Sequence, residues 1–149
     1  MGQLLRDHGD AETQEEILQG VIIEDKKTLA ILDEDLKAKK ADSREYIIDG
    51  WPRALSQAEW LVQKVQAGDI KMTGVIHLKA HKEVAKERLM HRGRVDDTEE
   101  AIIQRFNDYK NTILPILDYL SKQGIPIFEV DADGTIEEVE QRVDEALGL

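Results

Sequence analysis

Three short apolar runs, each set off from the next by a helical pattern far longer than a hairpin loop, constrain this chain more than any other feature. They are Glu45-Tyr46-Ile47-Ile48, the run 73–79 (TGVIHLK) and the run 125–130 (IPIFEV), the last preceded by the turn residue Gly124. Strands joined through whole helices close by right-handed crossovers and pair in parallel. The near-continuous apolar stretch Tyr46-Ile47-Ile48 predicts a strand covered on both faces. The fold class is therefore α/β, a parallel sheet with flanking helices. Ligands in such sheets bind beyond the carboxyl ends of the strands, and the first and third runs end in Asp49 and Asp131.

Helical spacing fills the intervals. The stretch 14–18 reads as helix and stops near Gly20, and Asp25 can cap a helix whose apolar positions are Leu29, Leu32 and Leu36. Ser56 with Glu59 forms a capping-box pattern ahead of Trp60, Leu61 and Val65, where Trp60 is read as packing. Val84, Ala85 and Leu89 mark one face of another helix. Ile102, Phe106, Tyr109, Ile113, Ile116 and Leu120 form one buried stripe, inside which Pro115 predicts a kink or break. Thr135 with Glu138 is a second capping box, opening a last helix with Ile136, Val139, Val143 and Leu147 facing inward. The acidic clusters Glu15-Glu16 and Asp33-Glu34-Asp35 read as solvated helix faces.

Composition removes several function classes. The chain has 149 residues, enough for one domain, and no cysteine, which excludes disulfides, thiolate metal sites and cysteine nucleophiles. Its net charge of −11 argues against a broad basic surface for nucleic acid. No apolar stretch is long enough to span a bilayer, and no secretory signal is visible, so a cytoplasmic protein with neither nucleic acid nor membrane as partner is expected. A local basic pocket remains open, because arginines fall at Arg53, Arg88, Arg92, Arg94 and Arg105. His77 and His81 lie in a strand and at a helix start, not on one helix face, and no metal site is expected there.

The segment ending Asp49-Gly50-Trp51-Pro52-Arg53 is the most informative. A carboxylate after a strand can orient waters around magnesium, Gly50 lets backbone approach a ligand, Pro52 stiffens the turn with a bond that could be cis, and Arg53 offers a planar fork to phosphate. With Gln57, this order resembles the Asp-Gly-aromatic-Pro-Arg motif of adenylate kinases. The resemblance implies that Arg53 binds the AMP phosphate, that Gln57 hydrogen-bonds adenine and that Asp49 holds magnesium through water. Downstream, Glu87 to Asp97 (ERLMHRGRVDD) followed by Arg105 resembles the lid region of the same family. There the resemblance implies Arg88 stacked near the ATP adenine, Arg92, Arg94 and Arg105 clamping phosphates, and Asp96 and Asp97 positioning these arginines. Phosphoryl transfer needs such fixed positive donors, since its charge is shared among moving oxygens.

The likeness covers nearly the whole chain. Tyr109, Thr112, Pro115, Tyr119 and Gly124 follow the family's spacing. Gly2-Gln3-Leu4-Leu5-Arg6 resembles the start of the AMP-binding segment, with Arg6 a second phosphate ligand. Gly20-Val21-Ile22-Ile23 resembles the stretch lining adenine, which adds Ile23, and with it Gly50, to the AMP site. The implied arrangement is one nucleoside monophosphate kinase-like domain over 1–149. About 1–44 is its AMP-binding segment, and about 45–149 is the rest of the core, with a minimal lid at 92–94. The implied reaction is MgATP plus AMP giving two ADP, run by a monomer.

Three departures bear on this. No glycine opens a Gly-x-x-x-x-Gly-Lys-[Ser/Thr] loop, so the resemblance implies a phosphate-loop NTPase, adenylate kinase-like fold lacking its first strand and that loop. Met1 falls in mid-motif, which suggests an internal Met taken as the start, or a fragment. A chain of this length alone is expected to bind nucleotide weakly and transfer no phosphate. Only Gly93 separates Arg92 from Arg94, leaving a very short lid. Met1 and Gln3 stand where the family has Thr and an acid, so base preference stays open. A non-catalytic nucleotide-binding or regulatory module and a pyrimidine nucleoside monophosphate kinase are the alternatives.

Overall fold

The computed structural model describes residues 1, 4, 7–10, 25–39, 45–92 and 98–149. They fall in two compact units, Met1–Lys71 and Met72–Leu149. The helix expected over 14–18, the stretch 20–23, and Arg6, Arg94, Asp96 and Asp97 lie outside the described residues.

In the first unit, helix α1 (Asp25–Ala38) opens at Asp25 and buries Thr28 and Leu32. Helix α2 (Leu55–Ala67) packs against it and buries Gln57, Ala58, Leu61 and Val62. Asp33 is not simply solvated. It pairs with Lys37 on its own helix at 2.5 Å and with Lys64 of α2 at 3.2 Å, and Lys64 also reaches Asp69 at 3.1 Å. These ammonium groups, Lys37 first, hold the Asp33 carboxyl below its ordinary value.

The expected Ser56–Glu59 box does not start α2. The cap is Ala54, extended and without a side-chain bond. The Gln57 carboxamide instead reaches back and accepts the Arg53 N–H at 2.8 Å. The helix begins two residues earlier than the pattern required, so Ser56 is already inside its first turn and cannot cap it.

The second unit runs β1 (Val75–Lys79), α3 (Lys82–Arg92), α4 (Glu99–Asp108), a π-helical turn (Tyr109–Ile113), α5 (Leu114–Lys122), β2 (Ile127–Asp131) and α6 (Ile136–Leu147). The strands pair in parallel, with Val75 opposite Ile127 through to Lys79 opposite Asp131, as the long crossover demands. Ile102, Ile116, Leu120, Ile125, Val130 and Ala132 form the buried apolar core. Pro115 acts as expected, with a specific outcome. It has no N–H to offer the Asn111 carbonyl, and its ring crowds that oxygen. The helix responds by widening, so that Leu114 N–H donates to Tyr109 O. After α5 the chain reverses at Gly124, whose φ of 80° suits glycine.

The Thr135–Glu138 box forms in full. Thr135 Oγ1 accepts the Glu138 N–H at 3.3 Å, and Glu138 Oε2 accepts the Thr135 N–H at 2.8 Å. Val139, Val143 and Leu147 are half-buried, but Ile136 is 84% exposed, contrary to the inward face expected of it. It stands in the first turn, before α6 has come onto the strand it covers.

The strand expected at 45–48 is absent. The segment is in none of the sheet, which among the described residues holds only β1 and β2, and Ile47 is 88% exposed. Apolar residues form a strand only where a neighbour supplies ladder hydrogen bonds and cover, and no described residue pairs with this run in a sheet.

Candidate functional site

In the first unit the candidate residues Asp49, Gly50, Arg53 and Gln57 share one turn. Gly50 takes a φ of 66°, and the Trp51–Pro52 peptide is cis. Arg53 folds back so that its Nε donates to Gly50 O at 2.7 Å. The positive φ favours glycine here, and a Cβ on Gly50 would lie 2.8 Å from Arg53 Nη2, so any larger residue would displace the guanidinium tip. Gln57 is buried, and through its bond to the Arg53 N–H it fixes the backbone that carries the guanidinium. Trp51 meets Trp60 edge-on, with centroids 6.0 Å apart at 83°, walling the turn with aromatic rings. Arg53 and Asp49 are exposed. A braced guanidinium and a carboxylate at the surface of one turn are equipped to meet a phosphate and a hydrated cation.

In the second unit, Arg88 lies on α3 and Arg105 on α4, while Arg92 ends α3. Arg88 donates through Nη1 to Ala132 O at 2.7 Å and through Nη2 to Gly134 O at 2.6 Å. One N–H on each terminal nitrogen of its fork is thus held by the loop after β2. A cleft of about 450 Å³ opens at the carboxyl ends of both strands, lined by Lys79, Ala80, His81, Glu129, Val130 and Asp131. Lys79 and Glu129 pair across neighbouring strands at 3.2 Å, which holds the Glu129 carboxyl below its ordinary range.

The loop after β2 has further ties that sequence reasoning missed. Arg142 Nη1 donates to Asp131 O at 3.0 Å and also to Asp133 O. Asp133 accepts the His81 N–H at 3.0 Å on Oδ1 and pairs with the His81 ring through Oδ2. The signal was the Asp-x-Asp-Gly pattern of 131–134, acceptor-rich and directly after a strand. Asp133 raises the His81 pKa above its ordinary 6.5, and His81 lowers the Asp133 pKa below its ordinary 3.8. A raised histidine stabilises the fold below its unfolded pKa and loses that contribution as pH rises through its folded pKa. A lowered carboxylate contributes above its unfolded pKa and loses that as pH falls through its folded one. The tie is therefore strongest between about pH 4 and 6.5. The expected result is that His81→Ala costs more stability at pH 5.5 than at pH 8.5, measured by urea unfolding. Equal costs at both would show that the ion pair contributes nothing.

Among the described residues no group of three or more His, Cys, Asp or Glu side chains could hold a metal, and no helix is long and apolar enough to cross a membrane. Arg6, Ile23 and Arg94, the remaining candidates, lie outside the described residues.

Known proteins match this chain over most of its length. The family described as Adenylate kinase matches residues 1–125. An adenylate kinase from Corynebacterium aurimucosum is 35% identical over 69% of this chain and 55% of the relative. One from Mycolicibacterium vanbaalenii is 36% identical over 81% of this chain and 65% of its own length. The chain thus spans less than two thirds of both. One from Synechococcus sp. (strain WH7803) is 32% identical over 98% of this chain and 81% of the relative. Since the match takes in the Asp49–Arg53 turn and the arginines of α3 and α4 alike, the chain belongs to the adenylate kinase family.

Proposed function

We propose that this protein serves phosphoryl transfer from ATP to AMP, giving two ADP, and that 1–149 acts as a single nucleoside monophosphate kinase-like domain. One observation carries the reading: the Arg53 guanidinium, braced on Gly50 O at 2.7 Å and backed by Gln57 at 2.8 Å, stands ready at a turn of the family's own sequence. Preorganised donors cost no rearrangement when phosphate arrives. Arg6, Arg53, Gly50, Gln57 and Ile23 form the AMP site. Arg88, Arg92, Arg94 and Arg105 meet ATP and the transferring group, Arg88 by its planar face. No general base is required beyond positioning.

Magnesium, carried with ATP, supplies charge neutralisation at the phosphates when bound. Asp49 fits it through water: its carboxylate is exposed and belongs to no cluster of three or more acidic or histidine side chains among the described residues, which suits a cation that keeps its waters and takes phosphate oxygens.

Both tryptophans of the chain flank this turn, so their emission tests the site. Titration with AMP is expected to give a saturable change that CMP and UMP do not match. A response to CMP or UMP with AMP silent would mark a pyrimidine nucleotide kinase, and silence to all three would end the reading. ADP formation from ATP and AMP separates a kinase from a binding module. Residues 1–149 alone, containing no Gly-x-x-x-x-Gly-Lys loop, are expected to bind AMP with little turnover.

A further inference from the structure

A π-helical turn adds one residue to a helix turn, so side chains before it are rotated by about 100° relative to an unbroken α-helix. Arg105, in the last turn of α4, stands one helical turn ahead of Tyr109, the first residue of the widened segment. Its direction therefore depends on the widening being kept. Such turns gather at functional sites.

Tyr109 is tied to the sheet. Its hydroxyl lies 2.9 Å from Nε2 of His77, in the middle of β1 and only 8% exposed. The two rings lie 5.7 Å apart with planes inclined at 31°. On the other side of the imidazole, Nδ1 lies 3.6 Å from Oε1 of Glu129 and has no hydrogen-bond partner among the described residues. A carboxylate on that side favours the proton on Nδ1, which leaves Nε2 to accept from the Tyr109 hydroxyl.

We infer that His77 and Tyr109 are positioning residues, whose hydrogen bond holds the widened turn and thereby sets the direction of Arg105. The functional half rests on the reading of Arg105 as a phosphate ligand. Neither side chain touches substrate in this role. His77 anchors from the strand, Tyr109 transmits along the helix, and Pro115 keeps the turn from relaxing to a plain α-helix by withholding an N–H.

Three variants and two measurements test this. Tyr109→Phe keeps the ring and deletes the hydroxyl. His77→Phe deletes the acceptor. His77→Gln keeps a side-chain polar group where Nε2 stood. Amide hydrogen exchange is followed across 109–114 with α6 as reference, and ATP is titrated against the Arg105 Nε–Hε resonance. Exchange across 109–114 is expected to quicken about fivefold in Tyr109→Phe and His77→Phe, with α6 unchanged and with recovery in His77→Gln. The ATP Kd read at Arg105 is expected to rise about fivefold in the first two. Unaltered exchange in Tyr109→Phe overturns the anchoring role. Faster exchange with an unaltered ATP response overturns the positioning of Arg105. An Arg105 resonance that ignores ATP in the unsubstituted protein overturns the phosphate reading, while the exchange data still judge the anchor.

Discussion

Replacing Arg53 by alanine is expected to weaken AMP binding about a hundredfold and to leave the unfolding transition where it was. A charge-assisted, two-pronged contact to phosphate contributes up to about 3 kcal/mol, and tenfold in affinity corresponds to about 1.4 kcal/mol. The side chain is exposed and folds back over its own turn, so the fold loses little with it. Arg53→Lys keeps the charge and loses the fork, and should fall between, roughly tenfold weaker than the original. Gly50→Ala approaches the same site from below: the added methyl would stand 2.8 Å from Arg53 Nη2 and push the guanidinium off its brace. Calorimetric titration with AMP checks all three. An unchanged Kd in Arg53→Ala would remove this turn from the AMP site.

Leu120→Ala should be the most damaging core substitution, at about 3 kcal/mol of stability. Leu120 is fully buried on α5, on the same stripe as the buried Ile116. It also belongs to the helix end. Its carbonyl accepts the Ile125 N–H at 3.1 Å while Gly124 N–H donates to Ser121 O at 3.0 Å, the paired bonds that close a helix before a reversal. Buried Leu120 and Ile125 are the apolar couple that accompanies such an ending, so one truncation empties a core position and loosens the entry to β2 together. Against a typical domain stability of about 5–15 kcal/mol this is a large share. Urea unfolding should show a lower midpoint with an unaltered slope. An unmoved midpoint would mean the neighbours refill the space.

What the sequence disclosed depended on how local the determinant was. Thr135 and Glu138 satisfy each other within one turn, so spacing alone specified them. Pro115 carries its disruption in its own ring, and only the form of the response, a widened turn, needed coordinates. The runs at 73–79 and 125–130 became strands because each is the other's partner. The run at 45–48 has the same composition and no such partner among the described residues, and composition cannot report a neighbour. Ser56 and Glu59 fitted a rule of spacing, yet Gln57, one place along, made the competing bond to Arg53 and set the helix start. The turn at Asp49–Arg53 was legible as a tight turn because five consecutive residues carry it, from Gly50 at positive φ to the cis bond before Pro52. The ties from His81, Arg88 and Arg142 to 131–134 join positions far apart in the chain, and no short pattern could announce them.

The pairing of Trp51 with Trp60 has a practical side. The chain has two tryptophans, and both belong to Met1–Lys71, whereas Tyr109 and Tyr119 belong to Met72–Leu149. Indole emission therefore watches one half of the molecule, whereas ellipticity sums the helices of both. Two melting curves taken on one sample, optical and dichroic, divide the molecule without any label: superimposed curves mean one cooperative block, and separated curves mean each half keeps its own temperature.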